Sequence, residues 1–141
     1  MTIEFPADAR IYVDTNIWIY FLEGHPSFAP KIRAFFLAAN ASSALLVTSE
    51  MTIAECLLKP ARDGDEEKIS AYEALFDGGN IEILPMDGAL ARRAALAGGA
   101  LGLKLIDAIH YVSAREAGCR YFLTGDGRFK TGPELTVVGI G

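Results

Sequence analysis

The segment IYVDTN, residues 11–16, passes from an apolar run to a carboxylate and then into a helical pattern. Its first three residues are typical of a short buried strand, and Asp14 stands where that strand ends. In open α/β sheets, ligands bind beyond the carboxyl ends of the strands. Asp14 is therefore a candidate site residue, although capping of the next helix explains an aspartate here equally well.

The rest of the chain repeats this alternation of short apolar strands and helices. Because tight hairpin signals are missing, the alternation predicts an α/β domain with a mostly parallel sheet. We expect strands at residues 10–14, 44–47, 81–84, 121–124 and 136–138, helices at about 15–22, 27–40, 50–58, 88–99 and 104–116, and a further helix between the polar link at 62–65 and Gly78-Gly79.

Helix ends are marked by capping and breaking residues. Ser27 and Thr48-Ser49 are expected to cap the second and third helices, and Asp87 to cap the fifth. Pro60 is expected to end the third helix, because proline lacks an N–H donor and crowds the preceding turn. The alanine-rich fifth helix is expected to end at about Gly98-Gly99.

The composition is that of one ordinary domain over residues 1–141, with hydrophobic residues making up 51%. Cys56 and Cys119 each lie in an apolar run, which predicts buried free thiols in a reducing compartment. Glu4 and Asp8 interrupt any N-terminal signal segment, and no uncharged apolar stretch reaches membrane-spanning length. We therefore expect a cytoplasmic protein without a membrane association.

The net charge of -5 argues against a simple sequence-independent nucleic-acid binder, which normally carries a basic face. Divalent cations bound among clustered carboxylates would cancel much of the local negative field. Basic side chains would then be able to contact phosphates: Lys59, Arg62, Arg92, Arg93, Lys104, Arg115, Arg128 and Lys130.

Three further acidic residues lie in unusual places. Asp126 follows the apolar strand at 121–124, where turn chemistry is the plainer explanation for an aspartate beside glycines. Glu55 and Asp107 lie inside apolar helical runs, where a charge must face water, pair or bind a metal. A polar edge on a half-buried helix explains each of them alone. One shared site explains all four acids more economically.

Clustered carboxylates suit Mg²⁺ or Mn²⁺, which prefer hard oxygen ligands. Two such ions can activate a water and stabilise a departing phosphate oxygen, which predicts cleavage of a nucleic-acid phosphodiester. The sequence has no zinc spacing, no phosphate-binding glycine loop and no local Cys-His pairing. A receiver-like signalling module and a non-catalytic interaction domain are the alternatives from other classes.

Three polar residues near these positions have plainer explanations. His110 lies one helical turn from Asp107, where a buried histidine bonding a neighbour is more common than a metal ligand. Lys104 precedes Asp107 by one turn and is best explained as a solvated lysine at a helix start. His25, in a Gly-His-Pro turn, is expected to be structural.

These segments together resemble a PIN-domain ribonuclease of the small VapC-type toxin class. The resemblance covers nearly the whole chain in order and spacing, through the segments VDTN (13–16), TSEMTIAE (48–55), LIDA (105–108) and LTGDGRF (123–129). It implies a three-layer α/β/α domain whose five strands are ordered 3-2-1-4-5. Asp14, Glu55, Asp107 and Asp126 would be the catalytic and metal-binding residues.

The resemblance also implies Mg²⁺-dependent (or Mn²⁺-dependent) hydrolysis of RNA by a metal-activated water. Thr15 and Thr124 would be supporting hydroxyls behind the acids, and Asn16 a supporting hydrogen-bonding group. Relatives commonly form homodimers and are inhibited by a cognate antitoxin. PIN domains that process RNA without an antitoxin are the alternative within the family.

Two positions depart from the family pattern. Gly125 stands where members usually carry asparagine, and Arg128 stands where many carry a further aspartate. The four-carboxylate set is complete, so the departures concern the second metal position. One resting ion or two are both compatible with the sequence.

Overall fold

The computed structural model describes residues 5–140, and the extreme ends of the predicted domain, 1–4 and 141, lie outside it. The strands are β1 (Arg10–Val13), β2 (Leu45–Ser49), β3 (Ile81–Leu84), β4 (Tyr121–Thr124) and β5 (Thr136–Gly139). The helices are α1 (Thr15–Leu22), α2 (Ala29–Ala41), α3 (Glu50–Asp63), α4 (Glu66–Phe76), α5 (Gly88–Leu101) and α6 (Leu105–Glu116).

Strand β1 forms the centre of a parallel sheet. It pairs with β2 on one side and β4 on the other, and β3 and β5 form the edges, in the order β3-β2-β1-β4-β5. This confirms the predicted sheet order. A receiver-like domain would have the order 2-1-3-4-5, so that alternative is wrong. The chain reverses its direction across the sheet at β1, which makes the carboxyl ends of β1 and β4 the expected ligand position.

The period-2 alternation of β1 places helices on both faces of the sheet. Ile11 and Val13 pack into a core shared with α1, α2, α3 and α4, while Tyr12 packs on the opposite face with α6. All three side chains are fully buried. Burial of each such side chain contributes roughly 1.5–3 kcal/mol. The strand that carries Asp14 is therefore held rigidly from both sides.

Helix α3 continues through Pro60 to Asp63, so the prediction that Pro60 ends it was wrong. The cost of a proline inside a helix is about 3 kcal/mol. Here the ring is buried, and this burial offsets part of that cost. The helix ends instead at Gly64, whose φ of 67° is a left-handed conformation that glycine adopts without strain.

Of the predicted helix caps, Ser27 was wrong, Ser49 is confirmed in position only, and Asp87 is confirmed. Phe28 stands at the start of α2, and His25 Nδ1 accepts from the N–H groups of Ser27 and Phe28 in place of a serine cap. Ser49 stands at the N-cap position of α3, as predicted, but its hydroxyl bonds to Tyr12 and not to the N–H groups of the helix. Asp87 does cap α5, since its Oδ1 accepts from Leu90 N at 2.8 Å.

Helix α5 continues beyond Gly98-Gly99, where it was expected to end, and ends at Leu101. Gly98 faces α6, where a Cβ atom would lie only 2.9 Å from Ala108 Cβ. The glycine therefore lets the two helices approach closely. In residues 5–140 no single helix has the length and apolar composition to span a membrane; α5 and α6 pass that test only as a pair, bent by 106°.

Candidate active site

Asp14 lies at the carboxyl end of β1, and it also caps α1. Its Oδ1 accepts from Thr15 N at 2.8 Å, and its Oδ2 accepts from Thr124 Oγ1 at 2.7 Å. The residue is only 6% exposed. Burial raises the pKa of this carboxyl, although the neighbouring His110 and the bond from Thr124 oppose the shift. The cap and the candidate site therefore use the same carboxylate.

Glu55 reaches the same end of the sheet from α3. Its Oε1 accepts from Thr15 Oγ1 at 2.7 Å and lies 2.5 Å from His110 Nε2. Burial raises the pKa of Glu55, but the bonds from His110 and Thr15 outweigh burial and leave that pKa lowered. Both bonds end at Oε1, so Oε2 is the oxygen that faces away from them. The unusual apolar context of Glu55 is thus explained by a polar cluster.

His110 belongs to this cluster as a buried histidine bonded to its neighbours, the interpretation that the sequence favoured over a metal ligand. It is 1% exposed, and its Nδ1 lies 2.7 Å from Tyr12 Oη, which in turn lies 2.8 Å from Ser49 Oγ. Both ring nitrogens of His110 are therefore engaged, Nε2 with Glu55 and Nδ1 with Tyr12. A chain of three buried side chains, Ser49, Tyr12 and His110, therefore fixes the position of Glu55.

Asp126 is linked to Asp14 through one hydroxyl. Thr124 Oγ1 donates to Asp14 Oδ2 and accepts from Asp126 N at 2.9 Å. Asn16 Oδ1 accepts from Gly125 N at 3.1 Å and ties this turn to α1. The sequence-predicted supporting residues Thr124 and Asn16 therefore lie beside the acids, as Thr15 does.

Asp107 meets the other acids through an arginine. Its Oδ2 lies 3.2 Å from Arg128 Nη2, and the same nitrogen lies 2.5 Å from Asp126 Oδ2. The hydrogen bond from Arg128 lowers the pKa of Asp126, and the charge of Lys104 acts in the same direction. Lys104 is thus close enough to the acids to act on them, while remaining exposed.

The four candidate acids are joined into one network of contacts, but not into a ready-made metal cage. Among residues 5–140, no three His, Cys, Asp or Glu side chains stand together in a metal-holding group. The donors nevertheless suit a hard divalent cation, since all four are carboxylates and no thiolate is among them. Closer approach of the carboxylates is opposed by their mutual repulsion.

The remaining predicted residues lie outside this network. His25 accepts two backbone N–H bonds in the turn before α2, which confirms its structural role. Cys56 and Cys119 are free and buried, as predicted, and burial raises the pKa of their thiols to about 12 and about 11. Neither thiol is therefore a candidate nucleophile.

The model of the PIN domain family matches residues 11–135 of the chain. Among solved structures, VapBC2 from Rickettsia felis, bound to a promoter DNA fragment, is 17% identical with a TM-score of 0.71, covering 92% of this chain and 98% of that one. VapC20 from Mycobacterium tuberculosis, a sarcin–ricin loop cleaving toxin, is 16% identical with a TM-score of 0.71, covering 83% and 90%.

VapBC-1 from nontypeable Haemophilus influenzae is 23% identical with a TM-score of 0.63, covering 92% of this chain and 97% of that chain. The TM-scores and coverages show a shared fold, and at these identities they show the fold alone. No curated protein matches the sequence at a significant level.

Proposed function

The chain belongs to the PIN domain family, and on that basis we propose that it is a Mg²⁺- or Mn²⁺-dependent endoribonuclease, the toxin of a type II toxin–antitoxin pair. The observation that carries the proposal is that four acids are joined by contacts near the carboxyl ends of β1 and β4: Asp14, Glu55, Asp107 and Asp126. Their contacts run through three shared neighbours, Thr15, Thr124 and Arg128.

The four carboxylates would hold the cation, with Asp14 as the rigid member. Each oxygen of Asp14 accepts one hydrogen bond and keeps a further lone pair for a ligand. Glu55 would contribute Oε2, since its two hydrogen bonds occupy Oε1. The chemistry that bound Mg²⁺ or Mn²⁺ supplies is activation of water and stabilisation of charge on the phosphate.

RNA is the proposed substrate. The M. tuberculosis neighbour is a sarcin–ricin loop cleaving toxin, and a phosphodiester is the substrate class that suits carboxylate-bound divalent ions. Two basic residues of this chain would orient the RNA backbone: Arg128, which contacts Asp107 and Asp126, and Lys104, whose charge acts on Asp126.

Degradation of a mixed RNA pool by the purified protein tests this proposal. We expect cleavage that is stimulated by Mn²⁺ or Mg²⁺, blocked by a chelator and lost in Asp14→Asn. Asp87→Asn is the matched control, because Asp87 also caps a helix through its carboxylate but lies away from the acids. Full activity of Asp14→Asn, or equal loss in Asp87→Asn, would overturn the metal-site assignment.

A protein antitoxin is the proposed partner. The neighbours from R. felis and H. influenzae are VapBC assemblies, and a further neighbour is a toxin–antitoxin complex from Klebsiella pneumoniae. We expect a small adjacent upstream reading frame whose product copurifies with this chain and stops its RNA cleavage. Cleavage that is unaffected by that product, or the lack of such a frame, would favour an RNA-processing PIN nuclease.

The chain is also proposed to form a homodimer. Large apolar side chains are exposed on α5 and at the start of α6, including Leu96 at 79% and Leu105 at 53%. A second copy of the chain is the occupant we expect there. Light scattering after gel filtration should give twice the monomer mass, and a monomer at micromolar concentration would contradict this.

A further inference from the structure

Arg128 places a positive charge among the candidate metal ligands. Its Nε lies 3.0 and 2.9 Å from the two carboxylate oxygens of Asp126, and its Nη2 lies 2.5 Å from Asp126 Oδ2. The same Nη2 lies 3.2 Å from Asp107 Oδ2. One guanidinium therefore bridges two of the four acids.

The turn that carries Asp126 brings this guanidinium close to that carboxylate. Arg128 follows Asp126 by two residues, and its backbone N–H also donates to Asp126 Oδ1 at 2.9 Å. The hydrogen bond to Asp126 raises the pKa of Arg128, and the charges of Asp107, Asp126 and Asp14 act in the same direction. Three of the predicted ligands thus stabilise the positive charge of Arg128.

We propose that Arg128 is a built-in counter-ion that competes with the divalent cation for Asp107 and Asp126 and so sets the affinity of the site for it. This inference rests on the proposed function, because it takes the four acids to be the cation ligands. Its subject is the arginine that stands where the family resemblance implies a further aspartate in many members.

The competition follows from the oxygens involved. Oδ2 of Asp126 and Oδ2 of Asp107 are both taken by Nη2, and a cation coordinated by these atoms would stand against the guanidinium charge. Like charges at contact distance repel, so binding of the cation requires Arg128 to move away.

Arg128 is free to move in this way. Its side chain is 54% exposed, so water can replace the hydrogen bonds that the guanidinium would give up. A surface cavity of about 140 Å³ lies beside it, lined in part by Leu103 and Lys130. Exchange of the guanidinium for a cation therefore needs no change in the core.

Calorimetric titration of the metal-free protein with Mn²⁺ at low ionic strength tests the proposal. We expect Arg128→Ala to bind Mn²⁺ about tenfold more tightly than the wild type. The variant lacks both the ion pairs that compete with the cation and the guanidinium charge that repels it. Arg128→Gln keeps a polar side chain without the charge and should show the same gain. An affinity that is equal or weaker in both variants overturns the proposal.

Arg93 provides the matched control. It forms a bidentate ion pair with Glu116 at 2.7 and 2.8 Å, and its side chain is 52% exposed. It contacts none of the four candidate acids in the described part of the chain. Arg93→Ala changes the net charge by the same amount, so it should leave the Mn²⁺ affinity unchanged. A gain in Arg93→Ala equal to that in Arg128→Ala would assign the effect to net charge alone and overturn the proposal.

A double variant separates this inference from the proposed function. Asp14→Asn added to Arg128→Ala should abolish the gain, because the cation loses its rigid ligand. A gain that survives in the double variant places the cation elsewhere and overturns the proposal. Wild type and Arg128→Ala that both fail to bind millimolar Mn²⁺ overturn the proposed function as well, whereas equal binding by the two overturns only the role of Arg128.

Discussion

At the scale of single residues, the protein keeps a buried carboxylate, Asp14, at the end of its central strand. Two hydrogen bonds stabilise the charge, but burial and the nearby Glu55 act against it. Asp14, the proposed cation ligand, is thus held at some cost to the stability of the fold. This conflict gives a stability test that is independent of catalysis.

We predict that Asp14→Asn raises the melting temperature of the chelator-treated protein at pH 7–8. The amide keeps the cap to Thr15 and removes the buried charge. A typical point mutation instead lowers stability by about 1 kcal/mol. Thermal unfolding followed by circular dichroism measures the difference, with Asp87→Asn as the control at an exposed cap.

The same variant should show a defined pH dependence. Because the pKa of Asp14 is raised in the folded state, the folded wild type binds a proton more readily than the unfolded chain. Its penalty is present above the folded pKa and disappears as the pH falls to about 4, the ordinary pKa of aspartate. The advantage of Asp14→Asn should shrink on acidification. An advantage that grows at low pH would contradict the assignment.

We predict that His110→Ala weakens Mn²⁺ binding by about 10–100-fold, the range for groups that orient a ligand. The reason is that His110 Nε2 holds Glu55 and is itself held by Tyr12. Calorimetric titration measures the loss, and Tyr12→Phe should reproduce part of it. Ser113→Ala, one turn along α6, is the control, since its hydroxyl is buried without a hydrogen-bond partner among the described residues. Wild-type affinity in His110→Ala would refute this role.

The candidate acids could be identified from the sequence because a charge in an apolar run is anomalous by itself. Glu55 and Asp107 were found in this way, and Asp14 and Asp126 by their places at strand ends. His110 and Arg128 could not be assigned, because histidine in a helix and arginine in a turn are ordinary. Their roles depend on side chains 55 and 21 positions away, which meet only through the fold.

At the scale of elements, the crossing of α5 and α6 controls where Asp107 and His110 lie. Gly98 of α5 contacts α6 at Ala108, directly between these two residues in sequence. The sequence pattern indicated that the glycines end the helix, since glycine is a poor helix former. The close helix contact that favours glycine here is a tertiary feature, and so is the burial that keeps Pro60 inside α3.

We predict that Gly98→Ala destabilises the protein by about 1–3 kcal/mol, the usual cost of overpacking. Its Cβ would lie 2.9 Å from Ala108 Cβ and 3.3 Å from Leu103 O, which forces α6 outward. Mn²⁺ affinity should fall too, because α6 carries Asp107 and His110. Denaturant unfolding and calorimetric titration measure the two effects.

Gly99→Ala is the matched control for this helix contact. Nothing lies within 4 Å of a Cβ at Gly99, so the substitution should stabilise α5 by up to about 1 kcal/mol through helix propensity. Equal effects of the two alanine variants would show that the contact with Ala108 does not position α6.

At the scale of the whole molecule, the parallel sheet brings together four acids that are far apart in sequence, at the carboxyl ends of β1 and β4. The strand order was predictable because each strand is a short apolar run with a helix after it, and parallel pairing follows from that alternation. The arrangement of side chains at these strand ends was not predictable from the sequence. It depends on the balance between the mutual repulsion of the carboxylates and their attraction to Arg128, which is set by distances of a few ångströms.

We predict that Mg²⁺ or Mn²⁺ stabilises the fold as a whole. A ligand at 100 times its Kd adds about 2.7 kcal/mol, which for a domain of this size raises the melting temperature by roughly 8–12 °C. Asp14→Asn should lose most of this shift, while Asp87→Asn should retain it. A shift of equal size in Asp14→Asn would place the cation away from the acids.

The location of Mn²⁺ in a crystal of the metal-loaded protein tests the metal centre most directly, through its anomalous scattering. We expect a peak beyond the carboxyl ends of β1 and β4, within about 2.0–2.6 Å of oxygens from Asp14 and at least one of Glu55, Asp107 and Asp126, with Arg128 turned away. A crystal saturated with Mn²⁺ that shows no peak there, or a peak bound only by other residues, would contradict it.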